Sequence, residues 1–180
     1  MAHSFRAIAP TRTCTKKYAD FHKYKQYLAD DFNHKCGYTD CSEMWFGGKN
    51  TFQIDHIKPK SRYPELENDY SNLVYCCSYV NRAKWDDDSP NYLDPCAEDF
   101  NIHFERDDYG RIVPKTSQGK YMAEHMQLKL LRYALIWNLD RLADRIEQLM
   151  KVELTDEIKD LLLELYKEKD RYFKYLAAEQ

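Results

Sequence analysis

The sequence contains no run of about 18 apolar residues, so no membrane-spanning helix is expected. The leading stretch MAHSFRAIAPTRTCTKK lacks the apolar segment of a secretory signal. Neither an internal repeat nor a low-complexity segment is present, which sets repeat architectures aside. A basic surplus is also missing: 27 Lys and Arg stand against 30 Asp and Glu, for a formal net charge of -3. That balance counts mildly against a chain that grips polyanions over its whole surface. It leaves room for a local basic strip. These absences together predict a cytoplasmic protein with no membrane contact. Its six cysteines are then expected as thiols or metal ligands rather than disulfides.

What is present suffices for a folded core. The 180 residues are 43% hydrophobic and 32% charged, which fits one domain, or one domain with a helical appendage, and argues against general disorder. Aromatics are plentiful, with 15 Tyr, 8 Phe and 3 Trp. The tyrosines can serve an interface as well as the core.

Along the chain, residues 1–15 read as an irregular, basic lead-in. Residues 16–32 read as a helix, with Tyr18, Phe21, Tyr24 and Leu28 spaced by three and four. The stretch 36-CGYTDC-41 is a tight turn, and Gly47-Gly48 marks another. Phe52, Gln53 and Ile54 alternate into Asp55 as a short strand. Residues 58–71 form a loop, and 73-LVYCC-77 is a compact apolar strand. A helix is expected from about Ser78, as N-cap, through Asn81, Arg82 and Lys84, ending at 86-DDDSP-90. Residues 91–117 read as irregular structure plus a hairpin around Asp108–Gly110. From residue 118 the pattern turns helical, with Leu128, Leu131, Leu135, Leu139, Leu142, Ile146 and Leu149 on one stripe. Thr155 is the expected N-cap of a second helix through Ile158, Leu162, Leu165 and Leu176. The division read from this is a domain over 1–117 and an α-helical extension over 118–180, paired as antiparallel helices.

One stretch carries the chemistry: 54-IDHIKPKSRYPELENDYSNLVYCCSYVNRAK-84. Hydrolysis of a phosphodiester needs a base for the attacking water and something to hold charge on the phosphate and the leaving oxygen. A neutral His is a base near physiological pH. A hard cation such as Mg²⁺ keeps several waters, so one carboxylate and one amide oxygen suffice from the protein. Asp55 and Asn81 supply those oxygens, and His56 supplies the base. Taken singly, an Asp-His pair or a helical Asn is most often structural; together and in this order they point to one site. Adjacent strand residues face opposite sides, so Asp55 and His56 can serve one substrate only where the strand ends. His22, His34, His103 and His125 are read as structural.

These residues resemble the HNH endonucleases. The matching pattern is Asp-His-Ile-x-Pro-x-Ser, then Asn-Leu before an apolar strand, then Asn-Arg-Ala-Lys, and it covers roughly residues 34–88. The resemblance implies an α+β fold with a ββα-metal core, an N-terminal helix and a C-terminal α-helical extension. It implies Asp55 and Asn81 as ligands of Mg²⁺, Mn²⁺ or another divalent ion, His56 as the general base, and Asn72 as the residue that orients it. Lys58, Lys60, Arg82 and Lys84 become candidate phosphate contacts on DNA. Cleavage of RNA, and an HNH-like module that binds without cutting or waits for a partner, stay open.

Many HNH proteins also hold a structural zinc on two Cys-x-x-Cys pairs. Here Cys36 and Cys77 stand at the first positions, but Thr39 and Val80 stand at the second. Two ligands hold a tetrahedral ion poorly, so no structural zinc is expected, and the roles of Cys41 and Cys76 stay open. The tail from LDPCAEDFNIHFERDDYGRIVPK onward is similar to small bacterial HNH proteins of anti-phage or retron-associated systems. That similarity implies a defence setting and an ATPase partner docked on the C-terminal helices; the plainer reading, compatible with it, is that these helices pack on the nuclease core to complete a small domain.

Overall fold

The structure is a computed structural model and describes residues 2–178; Met1 of the expected lead-in and Glu179 and Gln180 of the expected extension lie outside the described residues. In chain order the elements begin with β1 (His3–Ser4), α1 (Lys25–Asp31), β2 (Phe52–His56), β3 (Leu73–Cys77) and α2 (Ser78–Lys84). They continue with α3 (Phe100–His103), β4 (Phe104–Arg106), β5 (Ile112–Pro114), α4 (Ser117–His125), α5 (Leu131–Leu149) and α6 (Asp156–Ala178). Helices and small antiparallel sheets together make an α+β protein.

Strands β2 and β3 form an antiparallel pair in which Asp55 lies opposite Val74 and His56 opposite Leu73. All five residues of β3 are buried, which is why this strand reads as a continuous apolar run instead of alternating. Helix α2 follows β3 with no intervening loop and packs on both strands. The second sheet runs in the order β1-β4-β5. One continuous core includes Phe5, Leu28, Phe52, Val74, Phe104, Met122, Ile136 and Leu176, drawn from both sides of residue 118.

Two buried arginines tie the second sheet to the turn at residues 36–41. Arg6 donates to the Gly37 carbonyl at 2.6 Å, and Arg106 donates to the Thr39 carbonyl and, at 2.8 Å, to that of Gly110. Their aliphatic stems and planar heads replace water around carbonyls that would otherwise be stranded in the core. Gly37 is required here by space: a Cβ would stand 2.6 Å from Phe32 Cε1 and 2.8 Å from Val74 Cγ1.

Several local expectations are corrected. The N-terminal helix begins at Phe21 as a 3₁₀ turn, not at residue 16, because Asp20 takes an extended conformation and its carboxylate caps the His22 N–H. Tyr18 still reaches the core, edge-on to Tyr24, from the preceding segment. Ser78 is the first helical residue of α2 rather than its cap; Cys77 holds the cap position without a side-chain bond. The lead-in contributes β1, paired with β4, and the region read as irregular contains the single turn α3. The leucine stripe is interrupted: Gln127 has φ of +53°, α4 and α5 are separate helices, and Leu128 is buried in the turn between them. Thr155 stands before α6, and its hydroxyl accepts from the Ile158 N–H. Helices α5 and α6 pack side by side, Asn138 and Gln148 sharing a groove with Leu165 and Tyr172.

Candidate active site

Residues Gln53 and Asp55 lie two apart on β2 and share a face, over which α2 lays Asn81 and Lys84, themselves three apart. Asn81 Nδ2 donates to Gln53 Oε1 at 2.7 Å. Lys84 Nζ donates to Asp55 Oδ1 at 3.2 Å and to the His56 carbonyl at 2.7 Å. The other Asp55 oxygen accepts from the Tyr38 hydroxyl at 2.7 Å. Asp55 is therefore a buried carboxylate held from two sides. Burial pushes its pKa up, while the Lys84 charge and the bonds from Tyr38 and Lys84 pull it down. Burial, and then the Asp55 charge, pushes the Tyr38 phenol well above its usual range, which keeps it a donor.

His56 ends the strand, and the loop after it supplies its support. Its Nε2 lies 2.9 Å from the Glu67 carbonyl, an acceptor only, so that nitrogen carries the proton. The lone pair then sits on Nδ1, which has no hydrogen-bond partner among the described residues. Phe21 meets the ring edge-on at 4.8 Å. Burial lowers the His56 pKa, outweighing the Glu67 carbonyl and the Asp55 charge, so the imidazole is neutral at physiological pH.

Asn72 closes the loop between the strands. Its Oδ1 accepts from the Lys58 N–H at 2.8 Å, and its Nδ2 donates to the carbonyls of Lys58 and Leu66, at 3.0 and 3.3 Å. The residue after Leu66 is Glu67, whose carbonyl holds His56, so Asn72 acts on the imidazole through the loop.

Asp55, His56, Gln53 and Asn81 line one open cleft with Lys60 and Arg82. The strand-end geometry thus brings the adjacent Asp and His to a common surface. Of the four expected phosphate contacts, Lys60 and Arg82 are exposed on the cleft. The Lys58 ammonium sits over the Tyr63 ring at 5.6 Å. The Lys84 side chain has no exposure, so it faces the carboxylate from inside. Tyr38 was not legible as a site residue. Its only local signal is its place in the CGYTDC turn, and its partner lies seventeen positions away.

The donor set fits a divalent cation. Asn81 Oδ1 accepts no hydrogen bond among the described residues, and each Asp55 oxygen accepts only one, leaving a further lone pair. One carboxylate and one amide suit a hard ion that keeps most of its water.

At the cysteines, burial raises the Cys36 thiol, but hydrogen bonds from Cys77 and Thr39 bring it down to about 6. Cys36, Thr39, Cys77 and Val80 are all buried. Among the described residues, no three His, Cys, Asp or Glu side chains cluster as a metal site.

A search of curated proteins gave no match to the chain. A family comparison did: residues 34–87, the stretch that holds Tyr38, Asp55, His56, Asn72, Asn81 and Lys84, match the HNH endonuclease family, and over that span the chain carries an HNH endonuclease domain.

Proposed function

We propose that the protein is a divalent-metal-dependent endonuclease that hydrolyses DNA phosphodiester bonds at the cleft between β2 and α2, with β2, β3 and α2 as its ββα-metal core. The observation that carries this reading is the state of His56. Its Nε2–H is pinned to the Glu67 carbonyl, and its Nδ1 is left as a neutral base beside Asp55 and Asn81.

The His56 Nδ1 takes a proton from a water as the water oxygen bonds to phosphorus and the bond to the leaving deoxyribose oxygen breaks, and that oxygen takes up a proton from solvent to leave as the alcohol. Glu67 and Asn72 keep the ring aimed, and the Nε2 bond stabilises the imidazolium that forms. Asp55 and Asn81 would hold the ion, which when bound supplies charge neutralisation at the phosphate and the leaving oxygen. Lys60 and Arg82 seat the strand from the rim. An overall charge of -3 weakens indiscriminate attraction to phosphate, which suits delivery by a partner. The exposed Leu163, Tyr166 and Phe173 on α6 offer surface for such a partner, in keeping with an ATPase-linked, anti-phage setting.

The test is cleavage of plasmid DNA, and of a matched RNA, by purified protein with Mg²⁺ or Mn²⁺. Ion-dependent nicking or linearisation of DNA that vanishes with EDTA and in His56→Ala is the expected result. Cleavage that persists in His56→Ala would sink the assignment of the base, and cleavage of RNA alone would sink the substrate.

A further inference from the structure

Trp85 is 77% exposed, the most exposed large apolar side chain among the described residues. It lines the same cleft as Asp55, His56 and Asn81. It follows the last residue of α2, and its N–H is anchored on the Asn81 carbonyl at 3.1 Å. The Trp85 backbone thus sits four positions, roughly one helical turn, beyond the candidate ion ligand Asn81. Its backbone has φ of 53° and ψ of -124°, a conformation in which glycine is at ease and a bulky side chain is not. Neither core packing nor backbone preference accounts for a tryptophan here. The indole N–H makes no hydrogen bond among the described residues.

The surroundings separate bases from phosphates. The cations on the cleft are Lys60 and Arg82, whereas Asp86 lies next to Trp85 on the rim. Asp88 is tied to Arg62 at 2.9 Å, and Asp87 accepts from Tyr121 and Tyr92. On the cleft itself the acidic group beside the exposed ring is Asp86, whose carboxylate disfavours phosphate there and accepts the amino groups on the edge of a base. We infer that Trp85 is a stacking platform for an unpaired base next to the cleaved phosphate, so that the site takes single-stranded or locally opened nucleic acid. This rests on the nuclease reading above and adds to it the form of the substrate.

Binding tests it without cleavage. His56→Ala protein, in Mg²⁺, is titrated against a short fluorescein-labelled single strand, alongside His56→Ala/Trp85→Ala and His56→Ala/Trp85→Phe. Loss of one stacked base should raise Kd about 5- to 140-fold in the Ala variant, and Phe should restore most of the affinity. A 2-aminopurine placed at the stacked position should be quenched by the Trp85-containing protein and not by the Ala variant, with thermal melting as the control for folding. Equal Kd values for the Trp85 and Ala proteins overturn the platform and leave the nuclease reading standing. No binding of any strand by the His56→Ala parent overturns both.

Discussion

Replacing Lys84 with Met keeps most of the side-chain volume and removes one charge. The consequence can be worked from distances. At 3.2 Å from Asp55 Oδ1, the ammonium contributes a gross attraction of about 5 kcal/mol if the effective dielectric is ~20. Breaking a buried pair by deleting one partner typically costs ~3–5 kcal/mol, because the remaining charge is left uncompensated. Lys84 side-chain exposure is nil and that of Asp55 is 3%, so water has little access to repair the loss. The penalty must also depend on pH. Asp55 has a folded-state pKa above its ordinary 3.8, so its contribution is complete below that value and fades as pH rises through the folded value. Without Lys84 the folded value rises further, and the variant loses more as pH climbs. Urea unfolding of both proteins at about pH 5 and pH 7.5 should therefore give a difference that is larger at the higher pH. Mg²⁺ should stabilise the variant more than the wild type, since the ion replaces the missing charge. Asp55→Asn added to Lys84→Met should recover much of the loss. A penalty under about 1 kcal/mol, or one unchanged between the two pH values, would refute the buried-pair account.

The lowered His56 pKa makes its own forecast. The acid limb of the cleavage rate should have its midpoint below the ordinary histidine value of 6.5. Because the unfolded chain holds the extra proton in that interval, stability should fall as pH drops below 6.5; a flat melting temperature between about pH 7.5 and 5.5 would argue otherwise. Asn72→Ala removes three hydrogen bonds to the loop, and should cost ~2–3 kcal/mol and make residues 58–66 newly sensitive to limited proteolysis. Gly37→Ala forces a methyl into Phe32 and Val74, and should destabilise by ~1–3 kcal/mol in denaturant titration, with activity loss traceable to the displaced Tyr38.

Local pattern made β2, β3, α2 and the long helices legible, because burial of one face leaves a period in the residues themselves. It failed where a local competitor intervened. The Asp20 cap shortened the first helix, although Tyr18 kept helical spacing from Phe21. A left-handed Gln127 broke a leucine stripe that looked continuous, since a buried turn residue such as Leu128 is as apolar as a helical one. At the site, Asp55, His56, Asn72 and Asn81 sit close in sequence and could be read as a group. Tyr38 could not, because hydroxyl partners across a turn leave no periodic trace. The basic residues divided for the same reason: composition tells Lys84 from Lys60 no better than it tells inside from outside.

The arginine clasp on the turn at 36–41 has a consequence for timing. Tyr38 is held by a turn whose carbonyls are gripped by Arg6, near one end of the chain, and Arg106, well beyond the last site residue. During synthesis, every group that would touch phosphate or water emerges before Arg106 does. Until that arginine is made and β4 has joined β1, the turn lacks half its clasp and Tyr38, one of the two donors to the Asp55 carboxylate, is not fully anchored. A nascent chain would thus carry the reactive residues before their full alignment, which is completed when the later sheet forms and Arg106 reaches the turn.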